Sequence, residues 1–263
     1  MFCAQQGDDC HSLSKRPITQ LSLKMLDIIR ERDIAKGEYM KLGILTTTGL
    51  LIAIGFASGV KAENVSHVKQ LLETNKCTKC DLTGAQLAGM NLSGADLSGA
   101  DLSGANLTGA NLNGANLNEA KLNEANLKQA KLQGASLIAA KMHGANLESA
   151  DLSRANLSLA GLVIASLKNT NLTSANLVGV NLESADLAGA NLRNARQSVA
   201  NLANVSLRGG SLSGIDVQGV NLRDANLTGA NLTGANLNGS DLTGANLKDA
   251  NMANVNLKNA SLP

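Results

Sequence analysis

From Leu82 to Leu262 an apolar residue returns at every fifth position, 37 centres with no insertion and no skipped beat. Thirty-three of the centres are Leu; Met142, Val217 and Met252 are conservative replacements, and Gln197 is the polar exception. This period excludes both regular structures. On an α-helix, positions five apart step about 140° around the axis and never form a stripe. In a flat strand five is odd, so successive centres point to opposite faces. The chain must therefore turn once per repeat. Two residues before most centres stands a small residue, as at Ala85, Ala95 and Ala100; Asn or Asp commonly lies between, and Gly commonly follows two after. A small residue and a Leu two apart point the same way along an extended segment, and Gly or Ser eases the corner. So short a unit buries its apolar row only by stacking coil on coil, which makes a solenoid.

The run Ala95-Asp96-Leu97-Ser98-Gly99 resembles, almost letter for letter, the consensus of the pentapeptide-repeat family: Ala, then Asp or Asn, then Leu, then two variable residues. What the resemblance implies, beyond anything periodicity shows, is an all-β fold, a right-handed quadrilateral β-helix with four repeats to a turn. The repeats then make about nine coils, and at about 4.8 Å per coil a rod about 44 Å long. Leu and Ala are fully explained by this fold, since a buried Leu contributes about 1.5–3 kcal/mol. Asn106, Asn126 and Asn146 recur 20 residues apart and so share one side. They are read as satisfying nearby backbone and solvating that face.

Upstream of the repeats the composition changes. Phe2, Tyr39 and Phe56 all precede residue 62, so the rest of the chain has no aromatic residue. Residues 1–39 form an N-terminal extension, with Met40 a candidate initiator. Residues 40–62 carry a basic start at Lys41, an apolar run from Leu42 to Phe56, and small residues Val60 and Ala62 at the cleavage positions of a signal peptide. The rival reading of this segment is an uncleaved membrane anchor; either way the repeats are exported, to the periplasm or the thylakoid lumen. Residues 63–79 read as a helical cap, because Val65, Val68, Leu71 and Leu72 follow helical spacing and a solenoid needs a lid. Residues 80–263 are the β-helix. His67 reads as a solvated helix residue.

Cys77 and Cys80 form a C-x-x-C pair, which stands for a metal site, a redox pair or a structural disulfide. Zinc wants two further ligands, and His67 and His143 are poorly placed to supply them; a thioredoxin-like role wants a βαβ context. In an oxidising compartment the disulfide is favoured, and resemblance to exported cyanobacterial members of the family supports it. No metal or other cofactor is expected.

From residue 63 onward, fifteen Lys plus Arg balance fifteen Asp plus Glu. That balance and the lack of rings disfavour nucleic acid as a partner, and a membrane partner enters only through an uncleaved segment 40–62. Abundant hydroxyls with only His67 and His143 as bases make no catalytic triad. Ice binding would want a rank of Thr, which the column Thr83, Ser103, Asn123, His143, Val163 lacks. The runner-up reading, implied by the family's quinolone-resistance members, is a DNA-mimicking rod that occupies a topoisomerase; export and zero net charge argue against it. The favoured reading is a non-catalytic structural or interaction module. Its candidate docking patch is Ile138, Leu159, Val178 and Val199, which follow centres 20 apart, extended around the corner by Val163 and Ile164. The partner is an unidentified protein or a second copy, meeting end to end or face to face. At Gln197 the register points an amide inward, where an unpaired one costs about 1–3 kcal/mol.

Overall fold

The structure, a computed structural model, describes residues 62–196 and 200–263. One helix, α1 (Ala62–Thr74), precedes the repeats. Beyond it the backbone forms single-residue parallel bridges, each joining the residue before a centre to the one 20 positions on. Four such ladders start at Lys76, Asp81, Gln86 and Asn91, and each defines one side of a four-sided coil. The sides are named here by those first residues.

Repeats with Asn or Asp before the centre commonly dispose of their five amides as the repeat from Ala100 to Gly104 does; after Lys131, Ser136 and Lys141 the fifth amide donates instead to Asn113, Asn118 and Asn123 of the previous coil. The Leu102 amide donates to the Lys121 carbonyl (2.7 Å) and the Gly104 amide to that of Asn123 (2.9 Å), both on the next coil. The Asp101 amide donates back to the Cys80 carbonyl (2.8 Å), and the Ala100 amide closes the turn onto Leu97 (3.0 Å). The fifth amide, that of Ser103, donates to the Asp101 carboxylate at 3.1 Å. Asn or Asp before the centre is thus a turn cap whose oxygen accepts the one amide that stacking leaves over. Its Asn amide group also reaches the previous coil, as from Asn116 to Asp96 at 3.1 Å. The Asn106, Asn126, Asn146 run does the same work: Asn106 donates to Gln86 at 3.1 Å, and all three accept the amide two residues on.

The small residue and the centre point inward and are buried almost without exception from Leu82 to Ala245. Two small positions carry hydroxyls. Ser240 donates to the Val217 carbonyl (2.6 Å) and accepts the Val220 amide (3.3 Å), so its hydroxyl is inserted into a turn hydrogen bond. Thr170 donates to the Leu147 carbonyl at 2.9 Å. Both are fully satisfied, as burial requires.

Gln197 and Val199 lie outside the described residues; the ladders on either side of them keep the same 20-residue register. Arg196 bridges to Asn176 and Asp216, and Asn201 to Asn181 and Asn221. The segments read as extension and export signal also lie outside the described residues. Among the described residues, no helix is long and apolar enough to cross a membrane.

At the amino-terminal end the structure departs from expectation in two respects. The helix stops at Thr74, and coil bonding begins at Cys77, whose amide donates to the Asp96 carbonyl at 2.7 Å, rather than at residue 80. His67 is half-buried rather than solvated: the Asp81 amide donates to its Nδ1 at 3.2 Å, and the Asp81 carbonyl lies 3.1 Å from the same nitrogen. An edge amide of the first coil needs an acceptor, and the imidazole supplies one.

Candidate interaction face

Among the described residues, the second residue after each centre turns the corner with a positive φ, between 54° and 74°. Gly fills this position most often, and Asn, Asp, Ser, Glu, Gln129, Ala139 and Arg154 fill it elsewhere. Left-handed backbone costs a side-chain-bearing residue about 1–2 kcal/mol, and a bulky or β-branched one is out of place there. Leu159 (φ 61°) and Ile164 (φ 54°) occupy it nonetheless. They are also 66 % and 55 % exposed, which with Leu262 makes them the most exposed large apolar residues described. Two penalties, strained backbone and bare apolar surface, thus fall on the same two neighbouring corners.

The rest of the patch follows from the ladders. Ile138, Leu159 and Val178 lie on three successive coils of the Lys76 side, because Ser136, Asn156 and Asn176 ahead of them bridge in sequence. Ile138 and Val178 are half-buried. The Leu159 side chain lies down over the next coil, where a Cβ on Gly179 would come within 2.9 Å of its Cδ2. Around the corner, Val163 and Ile164 belong to the Asp81 side, where Gly161 takes the place of the usual Asn or Asp in the ladder between Lys141 and Asn181. Sequence placed these residues on outward phases. It did not register that Leu159 and Ile164 stand at the left-handed corner, although the glycines at that phase carry the signal.

Several polar groups elsewhere are engaged with one another. On the Asn91 side an open depression is lined by Gln133, Ser153, Arg154, Asn171, Thr173 and Ser174. The Asp151 carboxylate beside it accepts from Gln133 (2.6 Å) and Asn171 (3.0 Å). Burial pushes its pKa up, but these bonds and the Ser153 amide outweigh burial and hold it below the ordinary carboxylate value. The Ser98 hydroxyl and amide likewise lower Asp96, and those of Thr243 lower Asp241. No group of three or more His, Cys, Asp or Glu that could hold a metal occurs among the described residues.

Cys77 and Cys80 are buried and joined in the structure as a disulfide, with sulfurs 2.07 Å apart. Val68 and Leu71 of α1 are fully buried in the same apolar cluster as both cysteines and Leu82. In the last coil Leu247, Met252 and Leu257 are partly buried, and Leu262 is exposed.

The pentapeptide-repeats family profile matches eight copies over residues 80–119, 120–158, 165–196, 200–239 and 225–262. The chain belongs to the pentapeptide-repeat family. The fold is accordingly the family's right-handed β-helix solenoid. HetL, a pentapeptide repeat protein involved in heterocyst differentiation regulation in the cyanobacterium Nostoc sp. strain PCC 7120, is 33 % identical over 72 % of this chain and 87 % of its own, with a TM-score of 0.50. Rfr23 from the cyanobacterium Cyanothece 51142 is 32 % identical over 47 % of this chain and 91 % of its own, with a TM-score of 0.35. A pentapeptide repeat protein of the Arabidopsis thaliana thylakoid lumen is 35 % identical over 47 % of this chain and 69 % of its own, with a TM-score of 0.23. No curated protein matches significantly.

Proposed function

We propose that this pentapeptide-repeat protein is a non-catalytic interaction rod of an exported compartment, periplasm or thylakoid lumen, that docks a protein through the side bearing Ile138, Leu159 and Val178 and the adjoining corner at Val163 and Ile164. The observation that carries this reading is the coincidence of left-handed backbone and exposure at Leu159 and Ile164. Backbone strain kept where it does nothing for the core argues for a use outside the core. A rod whose backbone is fixed by stacking also meets a partner with little ordering cost. The likeness to HetL, a protein involved in regulation, supports an interaction role.

In the same reading α1 is the lid of the first coil, held by its buried Val68 and Leu71, with the Cys77–Cys80 bond in the coil it covers. A C-x-x-C kept as a disulfide belongs to an oxidising compartment, in keeping with the signal-like residues 40–62.

Leu159→Asp with Val178→Asp tests the docking side. The variant should keep its circular dichroism spectrum and melting temperature while losing whatever protein the wild type retains from native extract. Unfolding of the variant would mean the two residues face the core. Unchanged retention would move the docking site off this side, with the Leu262 end next in line.

A further inference from the structure

On the Asp81 side one rung differs from the rest. Every other residue of the four ladders carries a polar or charged side chain, and Gly161 has none. Neither packing nor backbone asks for this glycine: a Cβ built on it would meet nothing within 4 Å, and its φ lies outside the left-handed region. Its presence leaves an amide over. Where the residue before a centre is not a cap, Gln133, Ile138 and His143 find an Asn oxygen on the previous coil. Val163 has Gly161 ahead of it and His143 on the previous coil, and its amide has no acceptor among the described residues. That amide points outward, because its counterpart on other rungs meets an outward side chain, as Ser103 meets Asp101. The amides of Lys168 and Arg208 are also left over, but at exposed charged residues. The Val163 amide lies instead in a strip whose two corners are the exposed Leu159 and Ile164. Leu159, Gly161, Val163 and Ile164 thus form an apolar rung with a gap at Gly161 and a free N–H beside it. One coil before it stands Lys141, exposed and without an ion pair among the described residues. One coil after it stands the exposed Glu183, which accepts from Asn201 at 3.4 Å.

We infer that this rung seats an extended peptide segment of a partner protein, one whose exposed face reads acid, apolar, base at alternate positions. The inference rests on the docking reading above and names what docks at its Val163 and Ile164 corner. A backbone carbonyl of the segment takes the Val163 amide, as in strand addition to a sheet edge. The apolar side chain fills the gap over Gly161, the acid faces Lys141 and the base faces Glu183. Spacing agrees with this. Lys141 and Glu183 stand two coils and two residues apart, about 12 Å at about 4.8 Å per coil and about 3.3 Å per residue. In an extended chain, positions four apart point the same way and lie about 13 Å from one another, with the middle one between them on the same face. A helix would bring no backbone carbonyl to the amide, since its own are bonded along the axis. A coil of a second copy is excluded on the same ground, because stacking already engages its carbonyls.

Fluorescence anisotropy of a fluorescein-labelled peptide, Ser-Glu-Thr-Val-Thr-Lys-Ser, should show saturable binding to the protein. Peptides with Glu at both flanking positions, or Lys at both, should bind about tenfold more weakly or worse, since one end then meets a like charge. Lys141→Glu should lose the first peptide and bind the peptide with two Lys in its place. Gly161→Asn should act in two opposite ways. It should raise the melting temperature, because Asn there can cap the Val163 amide as Asn181 caps that of Glu183 at 3.0 Å, and it should abolish binding by filling the gap. A lowered melting temperature for Gly161→Asn would mean that the fold requires the glycine, and overturns the inference. So does a mixed-charge peptide that does not bind saturably, a like-charge peptide that binds equally well, or binding that survives Gly161→Asn. If no peptide binds while Leu159→Asp with Val178→Asp still loses a retained protein, the docking reading stands and this seat alone falls; if that double variant also changes nothing, both fall.

Discussion

Replacing Leu159 and Ile164 together by Asn should leave the rod as stable as before or slightly more stable, although two large apolar residues are removed. Asn adopts the left-handed corner readily, as Asn169 (φ 55°) and Asn194 (φ 57°) do at the same phase. Relief of backbone strain contributes about 1–2 kcal/mol per site. Against this, Leu159 and Ile164 are 66 % and 55 % exposed, so each forfeits only about 0.5–1 kcal/mol of the 1.5–3 kcal/mol that full burial would carry. The balance is about 0–1 kcal/mol in favour of Asn at each site. By contrast, Leu157→Ala, two residues from Leu159 but fully buried, should cost about 2–5 kcal/mol. Urea denaturation followed by circular dichroism measures both, since the region beyond residue 62 has no aromatic residue to fluoresce. A loss of more than about 2 kcal/mol in the double Asn variant would approach the cost of a core truncation. The claim that these residues are surplus to the fold would then fall.

Three further outcomes are expected. The carboxylates of Asp96, Asp101, Asp151 and Asp241 are held below their ordinary pKa, so their stabilising contribution is complete above the unfolded value of about 3.9 and is lost as pH falls through the lower folded values; melting scans should show this loss below about pH 4, smaller in an Asp96→Asn, Asp241→Asn variant, and a loss centred near pH 6 would contradict it. Cys77 and Cys80 should resist alkylation in freshly isolated, denatured protein, and their reduction should loosen the α1 end while most coils persist; free thiols would count against the disulfide. Mass analysis of native protein should place the amino terminus at or near Glu63, and recovery of a full-length soluble cytoplasmic chain would remove the export reading.

Periodicity made the coil legible because the solenoid's core is written once per repeat. Leu and Ala face inward at fixed phases, and the ladders bear out the 20-residue coil that the resemblance implied. The Asn and Asp phase was seen but half understood. Their oxygens close the amide that neither stacking nor the turn can satisfy, a requirement visible only once the other four amides are assigned. His67 was misread for a related reason: the acceptor it offers is wanted by Asp81, a residue distant in sequence whose amide stacking leaves over.

The candidate site was legible as a set of phases and illegible as strain. An apolar residue on an outward phase is ordinary, because folded surfaces carry many such residues. What separates Leu159 and Ile164 from Val163 is φ, and φ at the corner follows from repeat geometry rather than from their own letters. A substitution at an exposed strand phase adds only surface, whereas the same substitution at a left-handed corner also works against the coil. Two neighbouring corners that do so on one coil, flanked on the Lys76 side by Ile138 and Val178 one coil away in either direction, set that side apart in a repeat whose own preference at that position is glycine.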